Sequence, residues 1–138
     1  MIRNIIVISD THIMSKLALF PPEPIRLDEG TIISPSELQV KIYKHWEYFW
    51  NTWVPMVTKG EDFILVHNGD VFQGGNIKSD CHLTDNMADQ IKIAKLVLEP
   101  VVKKAAKYYQ IRGTSFHVGK NAQFEEILAK ELGAVPNE

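Results

Sequence analysis

The stretch Asn4-Ile5-Ile6-Val7-Ile8-Ser9-Asp10-Thr11-His12 decides how the chain is read. Its apolar residues are continuous rather than alternating, which predicts a strand over residues 4–9 covered on both faces, as in a parallel sheet. The strand ends by presenting a carboxylate and an imidazole, two residues apart, at its C-terminal tip. In open α/β sheets that tip is where ligands bind. Asp10 and His12 combine a hard oxygen with a borderline nitrogen, donors that suit Mn²⁺, Fe, Zn²⁺ or Mg²⁺. Taken alone, the same residues also suit a simple turn with a helix cap.

Two further strands repeat the pattern. Phe63-Ile64-Leu65-Val66 predicts a strand over residues 63–66 that runs through His67-Asn68-Gly69 into Asp70. A third strand over residues 107–111 ends at Arg112-Gly113-Thr114-Ser115-Phe116-His117. Helices are expected between and after them. Ser34-Pro35-Ser36-Glu37 reads as an N-cap serine, a first-turn proline and a glutamate closing a capping box. From there Leu38, Ile42, Trp46, Phe49, Trp50 and Trp53 share one helical face, read as core packing, and Pro55 ends the element. His45, beside this stripe, reads as a boundary residue. Thr84 or Asp85 can cap a second helix carrying Ile91, Ala94, Leu98, Val101 and Val102, with Pro100 as a kink or restart. The last helix spans residues 122–132, with Phe124, Leu128 and Leu132 on one face and Gly133 as its stop. Residues 13–33 are expected to be irregular, because Pro21, Pro22 and Pro24 forbid a helix; loops this long are more often functional than idle.

The order β, helix, β, helix, β, helix implies an α/β fold with a mainly parallel sheet and helical crossovers. Asp10/His12, Asp70 and His117 would then lie along one sheet edge. The 138 residues suffice for one domain with a real core. A net charge of −2 gives no global drive toward nucleic acid or membranes. Cys81 is the single cysteine, so no internal disulfide forms and a reducing, cytoplasmic setting is expected. The start of the chain lacks signal-peptide character, and no apolar run is long enough to span a bilayer.

Ile8-Ser9-Asp10-Thr11-His12 followed by Asn68-Gly69-Asp70-Val71-Phe72 resembles the first two blocks of the calcineurin-like metallophosphoesterases, Asp-x-His and Gly-Asp. Arg112-Gly113-Thr114-x-x-His117 is similar to a variant third block of phage-type members, with Thr114 where the family has a ligating asparagine. The long proline-rich loop and aromatic helix resemble the same branch. The resemblance spans the chain but covers only the family's N-terminal half. It implies the first half of a β-sandwich flanked by helices, in the cytoplasm of a bacterium or a phage-infected host. It implies one or two divalent ions, Mn²⁺ foremost, with Asp10 and His12 on the first and Asp70 bridging. It implies His117 as the group that protonates the leaving group or holds the phosphate. The substrate would be a phosphomonoester or phosphodiester, nucleic acid or nucleotide included. The family's later lone histidine and Gly-His-x-His block have no counterpart up to Glu138. His82 is either a further contributor to the site or a solvent-facing loop residue.

The alternative expectation is a non-catalytic or truncated half-domain that needs a second chain, or self-associates through an exposed apolar sheet face. A nucleotide-binding role for the Gly74-Gly75 loop is disfavoured, since it lacks the GxGxxG and GxxxxGK[ST] patterns that cradle phosphates.

Overall fold

The computed structural model describes residues 2–73, 82–115 and 123–136. His117, Cys81 and the Gly74-Gly75 loop lie outside the described residues.

Three strands form a parallel sheet: β1 (Asn4–Ile8), β4 (Phe63–His67) and β5 (Lys107–Gln110), in the order β1-β4-β5. Between β1 and β4 come a short antiparallel pair, β2 (Ile25–Arg26) and β3 (Ile32–Ile33), and then a long helical segment. Helix α3 (Met87–Val102) connects β4 to β5, and a final helix, α4 (Gln123–Glu131), follows β5. The expected α/β class with helical crossovers and parallel strands is therefore present. The strands begin where expected, although β1 and β5 each end one residue early, and His67 lies inside β4.

The expectation of a sheet covered on both faces does not hold. Register aligns Ile6, Leu65 and Tyr108 in one row and Ile8, His67 and Gln110 in another. These rows share one face of the pleat. Leu65, His67, Tyr108 and Gln110 are buried there, together with Ile6. The opposite face carries Ile5 and Val7, which are 62% and 61% exposed. Continuous apolarity marks a strand able to be covered twice; among the described residues nothing supplies the second cover to β1. Among the described residues β1 is also the end strand of the sheet, with no strand paired to its outer edge.

The aromatic segment is a helix of three parts. Helix α1 (Glu37–Tyr48) continues into a wide, π-helical turn at Phe49–Trp53 and then α2 (Val54–Thr58). Its cap is Ser36, not Ser34: the Ser36 hydroxyl accepts from Gln39 N and the Gln39 side chain accepts from Ser36 N. Two capping boxes overlap in this sequence. The second prevails with Gln39 buried and its side-chain amide donating to the Ser15 carbonyl, a tie to the preceding loop. Pro55 does not end the helix. The turn before it is wide, with Val54 N donating to the Phe49 carbonyl five residues back, and Pro55 enters the first turn of α2, where a missing N–H costs nothing. The segment stops instead at Lys59, in the left-handed conformation, and Gly60.

The expected apolar face is narrower in fact. Trp50 and Val54 are buried, Ile42, Trp46 and Phe49 pack partly against the core, and Leu38 and Trp53 are exposed. Trp50 is the anchor, meeting Trp46 and Phe49 edge-on and the Phe63 ring of β4 at 6.1 Å.

Helix α3 is capped by Asn86 rather than Thr84 or Asp85, its side chain accepting from Ala88 N and Asp89 N. Thr84 instead supports that cap, its hydroxyl accepting from Asn86 N. Pro100 sits inside α3, which runs through it without a break. On α4 the buried residues are Glu125 and Leu128, with Leu132 buried just beyond it, while Phe124 is exposed. Leu128 and Leu132 thus face inward as expected, and Glu125 takes the inward place expected for Phe124. Gly133 does stop the helix: Ala134 N bonds the Ala129 carbonyl and Gly133 N the Lys130 carbonyl, a Schellman closure.

Residues 13–33 are mostly irregular, yet pinned. Leu19, Phe20 and Leu27 are core residues, Asp28 N donates to the buried Asp89 carboxylate of α3, and Lys92 Nζ reaches the Arg26 carbonyl. No described helix is long and apolar enough to cross a membrane.

The two capping boxes are separable by mutation. Ser36→Ala should lower the unfolding free energy by about 1 kcal/mol, whereas Ser34→Ala should leave it within about 0.5 kcal/mol. Urea denaturation followed by tryptophan fluorescence reads both.

Candidate metal site at the strand tips

The site is built by pairing that outlasts the strands. After the β1–β4 ladder ends, Asn68 N donates to Ile8 O (2.7 Å), Asp10 N to Gly69 O (3.2 Å), His12 N to Asp70 O (3.2 Å) and Ile13 N to Val71 O (2.8 Å). These bonds carry the first two motifs side by side out of the sheet. The backbone that follows them is contorted. Asp10 (φ 54°), His12 (φ 41°), Met14 (φ 81°) and Asp70 (φ 53°) all adopt left-handed conformations. Each such residue costs of order 1–3 kcal/mol and persists only where its surroundings enforce it. All three residues read from the sequence as metal ligands belong to this set.

Gly69 shows how closely the tips approach. Its φ is +83°, and a Cβ placed on it would lie 2.6 Å from Gly113 Cα. No other residue fits there. This brings the third tip, Gly113-Thr114, onto Asp70. Asp70 Oδ1 accepts from Thr114 N (2.7 Å) and from the Thr114 hydroxyl (3.0 Å). Thr114 therefore holds the Asp70 carboxylate.

Asp10 and His12 project from the first tip, with Asp10 Oδ1 3.5 Å from His12 Nε2. The Asp10 side chain is 60% exposed and that of His12 25%. A hydrogen bond from the Ser9 side chain, with the His12 imidazole nearby, lowers the Asp10 pKa below its ordinary value of 3.8. It is an ionised, accessible donor at neutral pH. Both residues line a groove of about 650 Å³. Val7 and Ile8 contribute to one part of its lining, Leu17–Leu19 to another, and Ile42, His45, Trp46 and Phe49 bring the aromatic helix to it. His45 is thus placed at the groove wall, on the exposed side of α1.

Does this donor set fit a divalent ion? Its chemistry does: two carboxylates and an imidazole match Mn²⁺, Fe or Zn²⁺. Its geometry does so in part. Among the described residues no three His, Cys, Asp or Glu side chains converge into a ready ligand cluster. Asp10 and His12 form a close pair, and Asp70 is turned toward Thr114. A third protein donor requires the Asp70 carboxylate to share an oxygen between Thr114 and the ion, which the two lone pairs of each oxygen allow.

His82 precedes α3. It bridges to Ser15, its neighbour Leu83 N bonds the Met14 carbonyl, and its Nδ1 lies 3.3 Å from Asp85 Oδ1. Its side chain is largely covered, so it is not a solvent-facing loop residue.

Two supporting residues were not legible as site residues. His67 is fully buried under the tips. The Thr11 hydroxyl donates to the Val71 carbonyl (3.1 Å), so the neutral His67 ring donates from Nε2 to Thr11 Oγ1 (3.2 Å). Glu125 of α4 accepts from Val71 N and from Gly113 N, each at 2.7 Å. The available signal was its spacing, three before Leu128 and seven before Leu132, which puts a carboxylate on the inward face of a helix.

No family model matches the chain, and no curated protein or solved structure is significantly similar to it.

Burial lowers the His67 pKa from 6.5 to about 4, against the opposing pull of Asp10 and Asp70. The unfolded chain therefore takes up a proton between pH 6.5 and 4 that the folded protein refuses. Stability should be complete above pH 6.5 and fall as the pH drops toward 4, by up to about 3 kcal/mol from this residue. The Asp10 contribution is lost only below its ordinary value of 3.8, outside that window. An NMR titration should show the His67 imidazole still neutral at pH 5.5; a midpoint above 6 would contradict its burial.

Proposed function

We propose that the chain is a metal-dependent phosphoesterase domain of the calcineurin-like type, corresponding to the first half of that family's sandwich. The observation that carries the reading is the left-handed backbone shared by Asp10, His12 and Asp70 on two tips cross-bonded to each other. Strain of this kind clusters at functional sites. The motif order Asp-x-His, then Gly-Asp, each directly after a parallel strand, supports it further.

Asp10 and His12 would hold a divalent ion, with Asp70 as the third ligand and a candidate bridge to a second. Bound there, such an ion would supply positive charge against the ester phosphate and lower the pKa of the attacking water. The protein's own part is orientation. The paired tips fix where the Asp10 carboxylate and the His12 imidazole stand, and Thr114 fixes the Asp70 carboxylate. The groove beside Asp10 and His12 has room for the ester's organic group, with Trp46 and Phe49 on its wall. His117 remains the proposed proton donor to the leaving oxygen. The substrate is a phosphomonoester or phosphodiester, and the setting we propose is cytoplasmic.

A second reading is favoured by one observation, the exposed Ile5 and Val7 on an edge strand. In it the chain is a half-domain that works only when another chain, or another copy, covers that face.

One preparation tests both. With Mn²⁺, the protein should hydrolyse bis(p-nitrophenyl) phosphate or p-nitrophenyl phosphate. Asp70→Asn should cut the rate by about 100-fold or more, the upper end of what losing even an outer-sphere partner costs a metal site. No Mn²⁺-dependent activity above the Asp70→Asn background would remove the enzymatic reading for this chain. Light scattering on the same sample should show a mass above 15.7 kDa if the second reading holds, returning to monomer in Val7→Lys. A monomer at all concentrations would contradict it.

A further inference from the structure

We infer that Glu125 is the positioning residue for Asp70, acting through the backbone on both sides of the Asp70–Thr114 contact. Glu125 stands on the inward face of α4 and is 2% exposed. A carboxylate this deep is tolerated only when its oxygens are bonded. Its two oxygens divide between two chain segments. Oε1 accepts from Val71 N at 2.7 Å, and Oε2 accepts from Gly113 N at 2.7 Å. Bonds this short from amides to a charged acceptor are among the stronger ones.

The two amides are not arbitrary. Val71 directly follows Asp70, and Gly113 directly precedes Thr114. One carboxylate thus fixes the Asp70–Val71 peptide, directly after the acid, and the Arg112–Gly113 peptide, one before the amide of Thr114. The Asp70 side chain closes the other half of the frame, accepting from Thr114 N and the Thr114 hydroxyl. Left-handed Asp70 would relax if the frame opened, because its own φ preference does not hold it. Glu125 is itself anchored: its carbonyl accepts from Gln110 Nε2, and the Gln110 side chain accepts from the Tyr108 hydroxyl, tying α4 to β5. Glu125 does not line the groove and does not serve as a ligand here; it sets where a ligand stands. Its effect on metal binding rests on the phosphoesterase reading, whereas its effect on the Asp70–Thr114 contact does not.

The test compares Glu125→Gln with Leu132→Ala, a control that removes packing just beyond the same helix without touching either tip. The Gln side chain keeps one acceptor but turns the other oxygen into a donor facing an amide N–H. Amide hydrogen exchange is measured without metal, and Mn²⁺ affinity by calorimetry. In folded Glu125→Gln the Thr114 amide should lose its protection, and Mn²⁺ should bind about 10- to 100-fold more weakly. Leu132→Ala should change neither beyond its global destabilisation. Should Glu125→Gln not fold, Glu125→Asp is read the same way, since its shorter arm keeps the charge but spans only one amide. A folded variant with Thr114 protected as in the wild type would overturn the positioning role. If the wild type binds no Mn²⁺, the metal reading fails while Thr114 exchange still decides the role of Glu125.

Discussion

Everything at the tips depends on the parallel pairing of β1 with β4 continuing past the last strand residues. Four backbone bonds, from Asn68 N to Ile8 O through Ile13 N to Val71 O, hold two departing segments together outside the sheet. A strand that simply ended would release its chain into a turn of its own preference. Here the partner segment dictates the path, so Asp10, His12 and Asp70 accept left-handed conformations that a free turn would give to glycine. The third tip is drawn in because Gly69 lacks a Cβ, which lets Gly113 approach and Thr114 reach the Asp70 carboxylate.

Under this frame lies a layer of buried polar groups. His67 is kept neutral by burial and donates to Thr11, while Glu125 collects amides from two tips. Such groups add little net stability, but a single arrangement satisfies them, which favours one conformation over neighbouring ones. The proposed metal site, which would place two carboxylates and an imidazole with little tolerance, would gain from that restriction. The long loop follows the same logic at lower resolution, with Leu19, Phe20 and Leu27 in the core and Asp89 capturing the amide of Asp28.

The strands and their tips were readable because their signals are local: an apolar run, then a carboxylate or a glycine-acid pair. The helix Schellman stop at Gly133 was readable for the same reason. Other features were not, because they are set by partners distant in sequence. Ser34 and Ser36 both satisfy a capping box, and the choice falls to Gln39 meeting Ser15 across the fold. Pro55 reads as a terminator until the wide turn before it removes the need for its N–H. Phe124 outranks Glu125 on any hydrophobic scale, yet the acid is inside, because two backbone amides wait there for an acceptor. The continuous run of β1 is consistent with cover on both faces, but cover depends on what else is present, and Ile5 and Val7 remain exposed. His117 lies outside the described residues, so its place beside the other tips rests on the motif alone.

The most direct measurement is anomalous scattering from crystals grown or soaked with Mn²⁺. The expected result is an anomalous peak between the first two tips, bonded to Asp10 and His12, with the Asp70 carboxylate as a further ligand. A peak elsewhere, or none with these three side chains left as they stand, would contradict the assignment of the strand tips as a metal site.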